Sequence, residues 1–227
     1  MDSDRKFNIK LILLLVGMFI LVLFIWNTPV VYPIKLFVVL LHELSHGLAA
    51  LITGGKIVRI DINANQGGVC YTAGGWQFLI LSAGYLGSML WGGLILILAS
   101  RTRYDKFISA VIGIIVVVIA LLYIRTPFGL IYGIVFGVAL FLTGFFAPME
   151  VNDFILKLIG LTSILYVIID IKDDLITRTV KDSDAFKMAQ SYFGVPVFWG
   201  VLWIIIALIA LFIIMKTAVK RNREYYN

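Results

Sequence analysis

The sequence predicts a polytopic membrane protein built almost entirely of α-helices, with a small β-hairpin at the membrane boundary. Of its 227 residues, 61% are hydrophobic and only 14% are charged, which is more apolar than a soluble domain of this size requires. Several stretches reach or approach the ~18 to 20 apolar residues that cross a bilayer as one helix. Backbone groups cannot stay unpaired in lipid, so each such stretch is expected to be helical.

About seven segments are predicted to span the membrane, within one integral membrane domain over residues 1–227. The predicted spans are Ile9–Trp26, Tyr32–Ile52, Trp76–Ala99, Phe107–Ile124, Pro127–Phe146, Phe154–Ile169 and Val195–Met215. The first span has a basic flank like that of a signal peptide. No small-residue cleavage pattern follows it, so we interpret it as a retained span.

Two polar regions interrupt the spans. Residues 55–75 contain an alternating stretch, a turn rich in Asn and Gly, and a second stretch of strand formers, which together predict a β-hairpin. A plain loop is the alternative. The longest polar segment covers about residues 170–194, where Ser183 or Asp184 could cap a short helix that begins near Ala185.

The charge and cysteine content narrow the possible partners. The net charge is +6, and the basic residues flank apolar runs, where they are expected to meet lipid headgroups. The lipid bilayer is therefore an expected partner and nucleic acid is not, while the oligomeric state stays open. Cys70 is the only cysteine, which excludes an intramolecular disulfide and a cysteine-based metal site.

The second predicted span contains His42, Glu43 and His46, which form the pattern H-E-x-x-H. Residues four apart share a helix face, so both imidazoles can bind one metal ion, while Glu43 lies about 100° round the helix from His42. Zinc suits such ligands because its catalytic sites take three protein ligands and leave the fourth position to water. Glu43 would then act as general base toward that water.

Both histidines of the chain belong to this pattern, and the helix around them is otherwise apolar. Ionisable residues inside a membrane span are costly, so they point to a function. Two other roles stay open at this point. A buried Glu43 paired with a histidine could lock two helices together, or the group could relay protons.

The third zinc ligand is expected to be an aspartate or a glutamate, since no histidine is left and the chain has one cysteine. Asp170 directly follows the apolar part of the sixth span and lies about as deep in its span as the histidines lie in theirs. It is therefore the predicted third ligand. Asp173 and Asp174 lie on roughly the same helical face and are the alternatives, although a hydrated helix end would also explain them.

These residues make the chain similar to the M50 family of intramembrane zinc metalloproteases, the site-2 protease group, and especially to its M50B-like branch. The motifs occur in the branch's order: HELSHGLAALITGGKI from residue 42, SAGYLGS at 82–88, SILYVIIDIKDDL at 163–175 and SDA at 183–185. The resemblance implies that His42 and His46 bind zinc, that Glu43 is the catalytic base, and that Asp170 is the third ligand. The chain lacks the Leu-Asp-Gly or Asn-Pro-Asp-Gly context of better-studied members.

The sequence thus predicts a zinc-dependent endopeptidase that cuts membrane proteins or membrane peptides in or near their transmembrane segments. An edge strand of the hairpin could hold an unwound substrate segment by strand addition. Two other functions stay open: an inactive scaffold of the same fold that binds membrane helices, and a proton-coupled transporter. The intact Glu43 disfavours the scaffold, and the lack of an internal repeat disfavours the transporter.

Overall fold

The computed structural model describes residues 8–173 and 183–220. In these residues the chain forms eight helices and one two-stranded sheet. Their order is α1 (Ile9–Phe24), α2 (Tyr32–Ile52), β1 (Lys56–Ile62), β2 (Gly68–Ala73), α3 (Gln77–Arg101), α4 (Asp105–Tyr123), α5 (Pro127–Phe146), α6 (Met149–Lys172), α7 (Asp184–Ser191) and α8 (Pro196–Ala218). The predicted fold class, a helical membrane protein with a small hairpin, is confirmed.

Six of these helices, α2 to α6 and α8, are long and apolar enough to cross a membrane. Large apolar side chains stay exposed on the outer helices, among them Phe107 on α4, Val135 on α5 and Phe212 on α8. Such a wide apolar surface is typical of a lipid-facing bundle. The chain is therefore an integral, multi-pass membrane protein.

The first predicted span is shorter in the structure than the sequence suggests. Helix α1 has 16 residues, which corresponds to a length of about 24 Å, less than the ~30 Å of a bilayer's hydrocarbon core. The chain leaves the helix after Phe24, and the Thr28 hydroxyl donates a hydrogen bond to the Ile25 carbonyl (2.7 Å). Pro29 follows directly and disfavours a helical conformation at Thr28.

Helices α2, α3 and α6 form the centre of the bundle. In α2, 72% of the apolar window is buried, against 28% in each of α4, α5 and α8. Helices α3 and α6 approach closely because small residues meet: a Cβ added to Gly160 would lie 2.8 Å from the carbonyl oxygen of Gly92. Helix α3 therefore packs between α6 and α2.

The hairpin forms over the range predicted for it. Strands β1 and β2 pair antiparallel, with an irregularity between Ile57 and Arg59. The turn between them contains Gln66 with a φ of 65°, a left-handed conformation that side chains other than glycine adopt less often. A hydrogen bond from the Tyr32 hydroxyl to the Ala64 carbonyl (2.6 Å) attaches this turn to the start of α2.

The end of β1 is attached to the connection between α4 and α5. The Thr126 hydroxyl donates a hydrogen bond to the Ile62 carbonyl (2.6 Å) and accepts one from the Ile62 N–H (3.1 Å). The Arg125 N–H donates to the carbonyl of Ile60 (3.1 Å). The hairpin is thus fixed to the bundle through β1, and β2 lies on its other side.

The polar segment predicted at 170–194 contains the last turn of α6 and all of α7. Helix α7 is capped by Ser183, whose hydroxyl accepts a hydrogen bond from the Phe186 N–H (3.3 Å). The predicted short helix is therefore present. Ala185 and Met188 are fully buried in the core cluster that includes residues of α3 and α8, which holds α7 against the bundle.

Candidate metal centre

His42, Glu43 and His46 lie in the middle of α2, at the buried centre of the bundle. The two imidazole rings are 4.7 Å apart between centroids, as expected for residues one turn apart on one helix face. Glu43 is 6% exposed and His46 is 7% exposed. Polar groups this buried are costly unless they have partners, so the identity of those partners is informative.

A fourth ionisable group at this position is Asp184, the first residue of α7. Its Oδ2 atom lies 3.0 Å from Nε2 of His42 and 3.2 Å from Nε2 of His46. Two ligand atoms on one tetrahedral zinc ion are about 3.3 Å apart, given metal–ligand distances of about 2.0 to 2.2 Å. The potential ligand atoms of all three residues lie within 4.8 Å of one another, which suits a single ion.

The charge state of Asp184 fits this setting. Burial alone would raise the pKa of its carboxyl, but the neighbouring His46 and His42 lower that pKa below its ordinary value. The ionised carboxylate is the form that binds a metal.

Helix α3 fixes the orientation of both imidazoles. The Nδ1–H of His46 donates a hydrogen bond to the Ile80 carbonyl (2.6 Å), and because a carbonyl oxygen only accepts, Nε2 keeps its lone pair for a metal. The Tyr85 ring packs edge-on against His42, with 4.9 Å between centroids. Gly84 leaves room for the rings, since a Cβ there would lie 2.6 Å from Cε1 of His46.

The Glu43 side chain contacts the start of β2 instead. The backbone N–H of Cys70 interacts with its carboxylate. A Cβ on Gly68 would lie 2.6 Å from Glu43 Oε1, so the strand can approach this closely only because residue 68 has no side chain. Burial and the nearby Glu43 carboxylate raise the pKa of the Cys70 thiol to about 12, which makes that thiol unreactive at neutral pH.

One cavity of about 600 Å³ joins these groups. Its volume falls within the ~300 to 1,000 Å³ of typical ligand sites. Residues of α2, α3, α6 and α7 and of the hairpin line it, among them Gly68 and Thr72 of β2, and Tyr166 and Asp170 of α6. The candidate centre is therefore accessible from a space large enough for a ligand.

The structure brings together His42, His46 and Asp184, with Glu43 beside them, but it does not bring Asp170 into this group. Among the described residues, only these two histidines and Asp184 form a potential metal-binding cluster of three. Asp170, the third ligand predicted from sequence, lines the wall of the same cavity.

Asp173 and Asp174 are the alternative third ligands from the sequence, and among the described residues only Asp184 joins the two histidines. Asp173 lines a small neighbouring cavity, together with Lys35 and Gln66. Asp174 lies outside the described residues. The sequence marks Asp184 only as part of the SDA motif and as a possible helix cap. That motif is the sequence signal for Asp184 as a candidate metal ligand.

Comparison with known families agrees with this geometry. The Peptidase M50B-like family model matches residues 15–214 of the chain. No curated protein and no solved structure matches it. Because the family match covers most of the chain, the chain belongs to the M50B-like peptidase family, a group of membrane metallopeptidases that use zinc.

Proposed function

We propose that this M50B-like chain is a zinc-dependent intramembrane endopeptidase, which hydrolyses peptide bonds in or near transmembrane segments of membrane proteins or membrane peptides. One observation carries the proposal: Nε2 of His42 and Nε2 of His46 converge on a single oxygen of Asp184, with the Glu43 carboxylate beside them in the same cavity. This constellation lies in a bundle of helices long enough to cross a membrane.

The donor set fits zinc. Two imidazole nitrogens and one carboxylate oxygen are three protein ligands, the number found in catalytic zinc sites, where a fourth position stays open. The hydrogen bond from His46 to the Ile80 carbonyl is the kind of outer contact that orients a zinc-binding imidazole. We therefore propose His42, His46 and Asp184 as the ligands, with Asp184 in the role for which the sequence suggested Asp170.

The chemistry follows from the ligand set and from Glu43. Zinc, when bound, acts as a Lewis acid that activates water at neutral pH and polarises the carbonyl under attack. Glu43 takes the proton from the attacking water and then delivers it to the leaving amine. The backbone N–H of Cys70 interacts favourably with the Glu43 carboxylate, and the Glu43 side chain is largely buried.

Substrate binding is proposed to use β2. A transmembrane helix shields its amides, so the substrate must unwind before one can be cut. In the described part of the chain, β2 pairs only with β1, and Gly68, Val69, Cys70 and Thr72 of β2 line the cavity. An unwound substrate segment could add to the edge of β2 that does not pair with β1, through backbone hydrogen bonds.

The experiment is a zinc measurement combined with a cleavage assay. Purified protein should hold about one zinc ion per chain and should cut at least one of a panel of tagged reporters, each with one transmembrane helix, in lipid vesicles. Glu43→Gln should keep its zinc and lose cleavage. Cleavage that continues in Glu43→Gln, or a wild-type chain that holds no zinc, would contradict the proposal.

A further inference from the structure

We propose that the hairpin positions the Glu43 carboxylate for proton transfer, and that Gly68 and Thr126 are positioning residues for this reaction. The inference rests on the proposed function, because it assigns Glu43 the role of base. It goes further in giving the hairpin a second task besides substrate binding. Two contacts of β2 with Glu43 and one attachment on the opposite edge of the hairpin, at β1, support this role.

The first contact is electrostatic. Glu43 is 6% exposed, and the backbone N–H of Cys70 interacts with its carboxylate. A general base has to lie within ~2.6 to 3.2 Å of the proton it takes, yet a glutamate side chain has three rotatable bonds. A backbone donor on a paired strand restricts those bonds, because the N–H of Cys70 moves only with the strand.

The second contact is steric. A Cβ on Gly68 would lie 2.6 Å from Oε1 and 2.7 Å from Cγ of Glu43, and 2.9 Å from Cγ1 of Val39. The backbone of β2 therefore forms one wall of the space that the Glu43 side chain occupies. A methyl group at this position has to displace the carboxylate or move the strand away from it.

The attachment lies on the opposite edge of the hairpin, since Ile62 of β1 pairs with Gly68 of β2, and it keeps the strand in place. Cys70 pairs with Ile60 across the hairpin, and the carbonyl of Ile60 accepts the N–H of Arg125 (3.1 Å). The next residue, Thr126, forms two hydrogen bonds with the backbone of Ile62, which lies two residues after Ile60 in β1. Backbone contacts thus run from the connection between α4 and α5, through both strands, to the carboxylate of Glu43.

Three alanine variants separate positioning from metal binding. Gly68→Ala should keep zinc at the wild-type level and lower kcat for a cleaved reporter by about 100-fold, the lower end of general-base contributions. KM should change by a smaller factor than kcat, because the substrate is also proposed to bind to β2. Gly67→Ala is the matched control, since its nearest neighbour would be the Asn65 side chain at 3.1 Å, and it should change neither value by more than about threefold. Gly84→Ala should instead lose zinc, because its Cβ collides with His42 and His46.

A second pair of variants tests the attachment without adding bulk near the site. Thr126→Val removes the hydroxyl and should lower kcat by a larger factor than it changes KM, while zinc content stays unchanged. Thr126→Ser keeps the hydroxyl and should restore kcat to within about threefold of the wild type. These variants also keep the test decisive if Gly68→Ala fails to fold.

Several results would overturn the inference. Gly68→Ala with the kcat of Gly67→Ala would show that the contact does not position the base. If Gly68→Ala changes only KM, Gly68 acts in substrate binding. If the double variant Gly68→Ala/Val39→Ala recovers the wild-type kcat, the effect of Gly68→Ala comes from its contact with Val39 and thus from the spacing between β2 and α2. A wild-type chain without zinc or cleavage contradicts the proposed function itself, and is seen before any variant is made.

Discussion

Replacing Asp184 by asparagine should remove zinc from the chain, whereas the same change at Asp170 should leave zinc bound. The reason is geometric. Oδ2 of Asp184 lies 3.0 Å and 3.2 Å from the Nε2 atoms of His42 and His46, while Asp170 lies in the cavity wall outside this group. Asparagine keeps the shape of the side chain but removes the charge, so the comparison isolates the carboxylate.

The expected loss of zinc affinity depends on whether each residue binds the metal directly. Changing an outer partner of a metal ligand costs ~10- to 100-fold in metal affinity. Asp184 supplies the only negative charge among the three proposed ligands, so its loss should exceed that range. We therefore expect a zinc affinity more than ~100-fold lower in Asp184→Asn, which corresponds to more than about 2.7 kcal/mol. Asp170→Asn should change the affinity by less than ~10-fold.

The assay is a zinc titration of the purified chain in detergent, in competition with a chromophoric chelator of known affinity. Thermal unfolding gives a second measurement, since zinc at 100 times its dissociation constant adds about 2.7 kcal/mol to the free energy of unfolding. That gain should disappear in Asp184→Asn at the same zinc concentration. It should persist in Asp170→Asn, which serves as the matched control.

The opposite pattern would refute the reasoning. If Asp170→Asn loses zinc and Asp184→Asn keeps it, the ligand set expected from the sequence is right, and the contact between α7 and the histidines does not reflect metal binding. Equal losses in both variants would mean that neither position alone decides the affinity, and the assignment of a single third ligand would fail.

Three further predictions test packing and reactivity. Gly160→Val should destabilise the chain by at least ~1 to 3 kcal/mol, because the added side chain overpacks the contact between α3 and α6. Gly17→Ala is the control and should be close to neutral, since open space surrounds its Cβ. Thermal unfolding of both variants in detergent measures the difference. Asn152→Ala should cost ~1 to 3 kcal/mol in the same measurement, because the buried amide donates hydrogen bonds to carbonyls at the end of α5. Cys70 should react with iodoacetamide ~1,000-fold more slowly than a free thiol at pH 8, since its pKa is about 12, and Glu43→Gln should speed the reaction by removing one of the two causes of that shift.

The metal centre was only partly predictable from the sequence. His42, Glu43 and His46 are close in sequence, so helix periodicity alone relates their positions. The carboxylate of the third proposed ligand is a long-range contact. The prediction of Asp170 depended on its depth in the span, although the SDA motif also marked Asp184. Depth in a span cannot account for a chain that leaves the helix and returns, as it does here to present Asp184 from α7.

The hairpin illustrates a similar limit. Its strands follow from alternating residues and a turn, and the structure contains them close to the predicted positions. The contacts of Gly68 with Glu43 and of Thr126 with Ile62 join segments that are far apart in the chain. No local pattern marks either of them. Similarly, Gly84 lies in a run of small residues typical of helix packing, but its neighbours are the two imidazoles.

The electrostatic fields at the ends of α6 and α7 give a physical reason to propose Asp184, and not Asp170, as the third ligand. Asp184 lies in the first turn of α7, where Ser183 caps the helix and unpaired N–H groups carry partial positive charge that stabilises a carboxylate. Asp170 lies in the last turn of α6, where the carbonyl ends carry partial negative charge and oppose an ionised carboxylate. A carboxylate binds a metal in its ionised form, so a site that already favours this form binds the cation without the cost of releasing a proton. The helix end and the two imidazoles favour that form at Asp184, whereas the end of α6 works against it at Asp170.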